Sequence, residues 1–132
     1  MNLHEYQGKE ILASYGVSTQ KGIVVDNADD AYIAAEKLNK QTGTNIYVIK
    51  AQIHAGGRGK GGGVKIVKSL DEVKEIAEKM IGMMLITPQT PAVGKKVRKI
   101  LIAEDVYYSG ESETKEFYMS ILLDRKNCKN II

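Results

Sequence analysis

Apolar positions along the chain repeat at the spacing of a helix in some stretches and at the spacing of a strand in others. Residues 2–15, 27–41 and 69–81 show the helical period. Short runs rich in isoleucine and valine predict strands at residues 21–25, 46–53, 64–67, 97–104, 116–123 and 128–132. Because helices and strands do not alternate strictly, the pattern predicts an α/β (α+β) fold with helices packed on a mixed, partly antiparallel sheet.

Polar residues at the start of two helical stretches predict how those helices begin. Asn2 with Glu5, and Ser69 with Glu72, have the three-residue spacing of a capping box. In that arrangement each side chain bonds a backbone N–H that the helix leaves free. We therefore expect Glu5 to serve the N-terminus of the first helix.

The segment 87–94 contains both prolines of the chain and predicts a linker. We divide the chain there into a first subdomain, residues 1–95, and the start of a second, residues 96–132. The last residues form an apolar run without a capping element. We therefore expect the sequence to be part of a longer protein.

Composition narrows the class of protein. The chain has 132 residues and a formal net charge of +3. Basic and acidic residues are interspersed, which does not indicate a nucleic-acid partner. The single cysteine, Cys128, excludes an internal disulfide. The N-terminus is polar and no apolar run reaches the length of a membrane span, so we expect a cytoplasmic protein without a membrane partner.

The segment 54–63, which we call the glycine loop, holds six glycines, Arg58 and Lys60, and no acidic residue. It lies between two predicted strands, so it predicts a hairpin with cations near its tip. Glycine lets a ligand approach the backbone closely, and successive N–H groups can then point at one anion. The pattern indicates a loop that closes over phosphates. The alternative is a hairpin that is merely mobile.

Two common phosphate-binding motifs do not fit this loop. Lys60 is followed by Gly61, whereas a P-loop needs serine or threonine there. Glycines at 57, 59 and 62 match the letters of a dinucleotide fingerprint, but a strand follows them instead of the helix that the motif requires. The glycine loop therefore belongs to another class.

Several strings resemble the β subunits of succinate–CoA ligase (succinyl-CoA synthetase). They are Met-Asn-Leu-His-Glu-Tyr-Gln at residues 1–7, Val-Ile-Lys-Ala-Gln-Ile-His-Ala-Gly-Gly-Arg-Gly-Lys at 48–60, and Gly-Gly-Val-Lys at 62–65. The resemblance implies a partial ATP-grasp fold. It also implies the reaction of the family, in which succinate, CoA and ATP (or GTP) are interconverted with succinyl-CoA, ADP (or GDP) and phosphate in the tricarboxylic acid cycle.

The resemblance also implies partners and a metal. In the family an α subunit carries the histidine that is phosphorylated, and the β subunit holds nucleotide and Mg²⁺. The family's Mg²⁺ ligands correspond to positions beyond residue 132, so we expect none in this chain. We expect the ADP-forming type and expect these residues alone to be inactive. His54 is then a packing residue.

Site residues follow from the resemblance by position. Lys50 matches the lysine that reaches the nucleotide phosphates, and Gly57, Arg58 and Gly59 match the loop that closes over them. Glu116 matches an acid lining the nucleotide pocket, aligned across a loop at 107–115 that is longer than in the family. A lysine near the end of a buried strand can place its charge in a crevice beside a phosphate.

Two further positions are assigned in the same way. The family has an acid at the position of Ala103, whereas Glu104 comes one residue later. Strand residues alternate between faces, so Glu104 contacts nucleotide only if a bulge restores its direction. Gln20 matches a position near the purine edge, where an amide can both donate and accept and so contact either base.

Two other functions stay open at this point. One is another ATP-grasp acid–CoA ligase, for example one acting on malate. The other is a non-catalytic module that binds a polyanion such as RNA through the glycine loop, which would call for stronger overall basicity and exposed aromatic residues near the loop.

Overall fold

The computed structural model describes residues 3–107, 110–111 and 113–132. Its elements in chain order are α1 (Glu5–Ser14), β1 (Gly22–Val25), α2 (Ala28–Thr42), β2 (Tyr47–Ala51), β3 (Val64–Val67), α3 (Leu70–Met80), β4 (Met84–Leu85), β5 (Lys95–Lys96), β6 (Ile100–Glu104), β7 (Leu122–Asp124) and β8 (Lys129–Ile131).

Four strands form the main sheet in the order β1-β6-β2-β3, and every neighbouring pair is antiparallel. The strand β6 is the last of the four in the chain, yet it lies between β1 and β2. Helices α2 and α3 pack together on one face, where Ile49 and Ile102 are fully buried. The predicted α+β class is confirmed.

Local signals explain how α2 and α3 begin and end. Asn27 caps α2 by accepting a hydrogen bond from Asp30 N at 2.8 Å, and Gly43 ends it in the left-handed conformation. Ser69 caps α3 by accepting from Glu72 N at 3.2 Å. These contacts satisfy N–H groups that a helix otherwise leaves free, so the predicted bounds of both helices are nearly those observed.

The prediction that Asn2 and Glu5 form the capping box of α1 is wrong. Asn2 lies outside the described residues, and the helix begins after His4, whose backbone N–H donates to Gln7 Oε1 at 2.9 Å. Gln7 thus takes the role that the sequence assigned to Glu5. None of the residues of α1 is buried, and its apolar side chains Ile11 and Leu12 are 45% and 48% exposed.

Residues 87–94, which the sequence predicts as a linker, contain no helix or strand and connect β4 to β5. The strands β4 and β5 pair there as a short hairpin. Leu85 and Val97, at the two ends of that hairpin, are 1% and 0% exposed and belong to the core under α2 and α3. The sheet then continues into β6, so residues 100–104 share one sheet and one core with residues 22–80.

Most of the strand predicted at residues 116–123 is absent. Among the described residues of this segment and its end, only 122–124 form a strand, β7, which pairs with β8. A turn joins these two strands, and in it Asp124 Oδ1 accepts from Lys126 N at 2.9 Å. Apolar side chains of this region, including Phe117 and Tyr118, are exposed. None of the described helices combines the length and apolar character that crossing a membrane requires.

Candidate functional site

The glycine loop is folded back on itself and continues the β2–β3 hairpin. Gly63 O accepts from Ala51 N at 2.8 Å, which extends the ladder beyond the end of β2. Inside the loop, Gly63 N donates to Arg58 O at 2.8 Å and Gly62 N donates to Gly59 O at 3.1 Å. The loop is therefore a defined turn that brings Arg58 close to the strand end.

Close packing against residues 85–89 explains several of the glycines. A Cβ at Gly61 would lie 2.2 Å from the carbonyl oxygen of Ile86, and one at Gly63 would lie 2.5 Å from a Leu85 methyl carbon. Gly57 has a φ of +72°, which other residues rarely adopt. By contrast, a Cβ at Gly59 would meet no atom within 4 Å, so packing does not explain that glycine.

Glu5, the first residue of α1, lies at the centre of a group of cations. Its Oε1 is 3.0 Å from Lys9 Nζ and 3.1 Å from Lys50 Nζ, and its Oε2 is 2.6 Å from Arg58 Nη2. All four side chains are about one-fifth exposed. We call Glu5, Lys9, Lys50 and Arg58, together with Gln20, the Glu5 cluster.

Burial and the neighbouring cations together shift the pKa values of Glu5 and Lys9. Burial by itself would raise the pKa of Glu5, but hydrogen bonds from Lys9 and Arg58 and the charge of Lys50 outweigh it and lower the pKa to about 2. Burial lowers the pKa of Lys9, and the charges of Lys50 and Arg58 add to that effect. One carboxylate thus faces three cations, and the excess of positive charge favours an anion.

Gln20 connects the cluster to the main sheet. Its Oε1 accepts from Lys9 Nζ and from Lys50 Nζ, both at 2.8 Å, and its Nε2 donates to the backbone oxygen of Glu104. These three contacts fix which way the amide points, because two ammonium groups require the oxygen on their side. Gln20 and Lys50, assigned separately from the sequence, therefore lie in one network.

The structure does not bring the side chain of Glu104 into the Glu5 cluster. The pairing of β6 with β1 and β2 runs without a bulge through Ala103 and Glu104. Ala103 pairs with Val48, so its side chain lies on the same face of the sheet as the side chain of Lys50. The side chain of Glu104, the next residue, lies on the opposite face. Its carboxylate accepts instead from Lys21 N at 2.7 Å. Only its backbone oxygen reaches the network.

Glu116 stands apart from the other predicted site residues. It accepts a hydrogen bond from the Tyr107 hydroxyl, and both side chains are exposed. The bond raises the pKa of the Tyr107 hydroxyl, since the neighbouring carboxylate opposes loss of its proton. The role expected for Glu116 stays a prediction.

His54 packs beside the site. Its ring stacks on that of His4 with centroids 4.0 Å apart. Burial, followed by the nearby charges of His54, Lys99 and Arg58, lowers the pKa of His4. A neutral His4 ring can stack without adding a further cation to this side of the loop.

Two clefts open beside the Glu5 cluster. One of about 740 Å³ is lined by the glycine loop, Glu5 and Arg58. The other, of about 230 Å³, is lined by Lys9, Gln20 and Leu101. A ligand with an anionic end and a separate ring system could place one part in each cleft, because residues of the cluster reach both.

The described residues do not supply a magnesium site. No group of three or more His, Cys, Asp or Glu side chains suited to hold a metal ion occurs among them. The one carboxylate of the cluster, Glu5, is already bonded to three cations. We therefore derive no step through Mg²⁺ from these residues.

Sequence reasoning missed two residues of the site. Glu5 was assigned to a helix cap, and Gln89 was placed in a linker, although its Oε1 accepts from Gly56 N at 2.7 Å. A partial signal for Glu5 existed, since Lys9 follows it by four residues on the same helix face. Nothing local indicated Gln89.

Comparison with known proteins identifies the family of the chain. The model of the ATP-grasp domain family matches residues 2–132. The chain belongs to the ATP-grasp family. It is 67% identical, over its whole length, to the ADP-forming succinate–CoA ligase subunit beta of Flavobacterium johnsoniae, and it covers 33% of that protein. The corresponding subunits of Christiangramia forsetii and Chlorobaculum tepidum are 61% and 52% identical over all 132 residues. The chain spans about a third of the length of these curated relatives.

Proposed function

We propose that this chain forms the first part of the nucleotide-binding region of a succinate–CoA ligase β subunit, of the ADP-forming type. The observation that carries the proposal is the Glu5 cluster, in which Lys50 and Arg58 of the glycine loop bind the same carboxylate. Identity of 67% with a relative of that name supports the choice of reaction. The whole protein would interconvert succinate, CoA and ATP with succinyl-CoA, ADP and phosphate, together with an α subunit.

In this proposal the triphosphate lies in the larger cleft. Lys50 does not line this cleft, but its Nζ is bonded to Glu5, which does, so the charge of Lys50 lies at the edge of the cleft, and the loop backbone around Gly57 and Gly59 lies against the phosphates. Gln20 lines the smaller cleft and holds its amide oxygen towards the two lysines, so it orients Lys50 and borders the space left for the base. Magnesium would neutralise phosphate charge, with ligands from outside these residues.

We also propose that the division between subdomains falls after Glu104 rather than between residues 95 and 96. The sheet and its core extend through β6, which supports one unit up to that residue. The β7–β8 hairpin would then begin the second unit. The expected cytoplasmic location stays a prediction.

The test is an assay of succinyl-CoA formation by the complete protein with its partner subunit. Lys50→Ala is compared with Lys40→Ala, which removes an exposed lysine paired with Glu36 on α2. Loss of a charge-assisted bond costs about 1.5–3 kcal/mol, so we expect kcat/KM for ATP to fall at least about tenfold for Lys50→Ala.

We expect the Lys40→Ala variant to keep the activity of the unaltered protein. Unchanged kcat/KM in the Lys50→Ala variant would reject the role of Lys50. Absence of succinyl-CoA formation by the unaltered, properly assembled protein would reject the reaction. A panel of other diacids, including malate, in the same assay establishes which acid is used.

A further inference from the structure

We propose that Glu5 is a positioning residue, which holds Arg58 and Lys50 before nucleotide arrives and so gives the glycine loop its binding shape. The proposal rests on the proposed function, because it concerns the same phosphate site. It gives Arg58, which the sequence assigned to the loop that closes over the phosphates, the role of a tether of that loop.

The guanidinium of Arg58 is engaged at both ends by the protein. Its Nη1 donates to Ala51 O at 2.7 Å and its Nη2 donates to Glu5 Oε2 at 2.6 Å. Ala51 is the last residue of β2 and Glu5 is the first of α1, so one side chain joins the loop to a strand end and a helix start. The backbone oxygen of Arg58 also accepts from Gly63 N.

Such a tether matters because the loop is rich in glycine. Six glycines in residues 54–63 have wide conformational freedom in the absence of contacts, and ordering them costs free energy. A loop that is ordered before binding spares the ligand that cost. Glu5 is suited to this task, since its pKa of about 2 keeps it ionised at neutral pH.

The direction in which the KM for ATP changes distinguishes two roles of Glu5, namely positioning of the cations and competition with phosphate for them. If Glu5 only competed with phosphate for the cations, its removal would raise the net positive charge of the cluster and strengthen nucleotide binding. If Glu5 positions Arg58 and Lys50, its removal loosens the loop and weakens binding. The two explanations predict opposite shifts of the KM for ATP.

The experiment uses the complete protein and the variants Glu5→Gln, Arg58→Gln and the double variant. The control is Glu36→Gln, which removes the same charge from an exposed pair on α2. Hydrogen exchange of the amides in residues 56–63 is followed without nucleotide, and kcat and KM for ATP are measured separately. Exchange without nucleotide reports the shape of the loop independently of catalysis.

For Glu5→Gln we expect faster exchange across the glycine loop and a KM for ATP raised at least about tenfold, as for loss of one charge-assisted bond. We expect Arg58→Gln to have the same effects and the double variant to be no worse than the worse single one, because both changes break one tether. Glu36→Gln should match the unaltered protein.

A KM for ATP that is unchanged or lowered in Glu5→Gln, with loop exchange unaltered, would overturn the positioning role. If Glu5→Gln does not fold, Arg58→Gln decides alone, since residue 58 lies in a loop outside the core, and unaltered loop exchange in that variant overturns the proposal. Failure of the unaltered protein to use ATP overturns the proposed function instead.

Discussion

The α-carbon of Gly61 faces the backbone oxygen of Ile86 so closely that an added Cβ would lie 2.2 Å from that oxygen. A backbone carbonyl cannot move aside as a flexible side chain can, and Ile86 directly follows β4. The glycine loop is therefore seated on residues 85–89, and its position depends on glycine at this contact.

We expect Gly61→Ala to lower the free energy of unfolding by about 1–3 kcal/mol, the usual cost of overpacking. Urea denaturation measures the change. Gly59→Ala is the matched variant, since a Cβ there has open space, and its stability should stay within about 0.5 kcal/mol of the unaltered protein. Equal stability of the two variants would show that the loop is not seated on Ile86.

The stability of the Glu5 cluster should depend on pH. The pKa of Glu5 falls from 4.5 to about 2 on folding. A carboxylate whose pKa is lower in the folded protein than in the unfolded chain stabilises the fold. That stabilisation is fully present at pH values above the pKa of the unfolded chain, and it is lost as the pH falls through the pKa of the folded protein. Because the side chains are partly exposed and solvent screens them, we expect a contribution of about 1 kcal/mol rather than the full linkage value.

Unfolding free energies of the unaltered protein and Glu5→Gln check this directly. We expect the variant to be less stable at pH 6 and the difference between the two to shrink as pH falls from about 4.5 towards 2. All other carboxylates titrate in both proteins, so they cancel in the difference. A difference that stays constant across this range would contradict the account.

Helix α1 offers a stabilising substitution. Gly8 lies within α1, and a Cβ there would meet no atom within 4 Å. Glycine inside a helix costs roughly 0.5–1 kcal/mol relative to alanine, so Gly8→Ala should slow amide exchange in α1 by a corresponding factor. The opposite control is Gly43→Ala, where a φ of +76° makes alanine strained. Faster exchange of α1 amides in Gly8→Ala would show that Gly8 has another role.

The parts of the fold that rest on contacts between residues close together in the chain were predictable from the sequence. The caps at Asn27 and Ser69 and the glycine loop between two strands follow from local sequence, because each contact joins residues a few positions apart. The central position of β6 did not follow, since its pairing with β1 joins residues far apart in the chain. A strand needs a partner, which is also why residues 116–121 did not become one despite their apolar content.

The candidate site likewise has features that the sequence predicted and features that it did not. The sequence indicated the glycine loop, and the family resemblance indicated Lys50 and Gln20, which the structure joins through one hydrogen bond. The sequence could not indicate that Glu5 binds Arg58, because Arg58 is 53 residues away and a capping box explained the same carboxylate locally. Long-range ion pairs of this kind are visible only once the chain is folded.

The most direct test of the nucleotide site is a crystal structure of the complete protein with a non-hydrolysable ATP analogue. We expect phosphate oxygens within about 3 Å of Lys50 Nζ and against the backbone of the glycine loop, with Arg58 still bonded to Glu5. A triphosphate bound away from both Lys50 and the loop would contradict it.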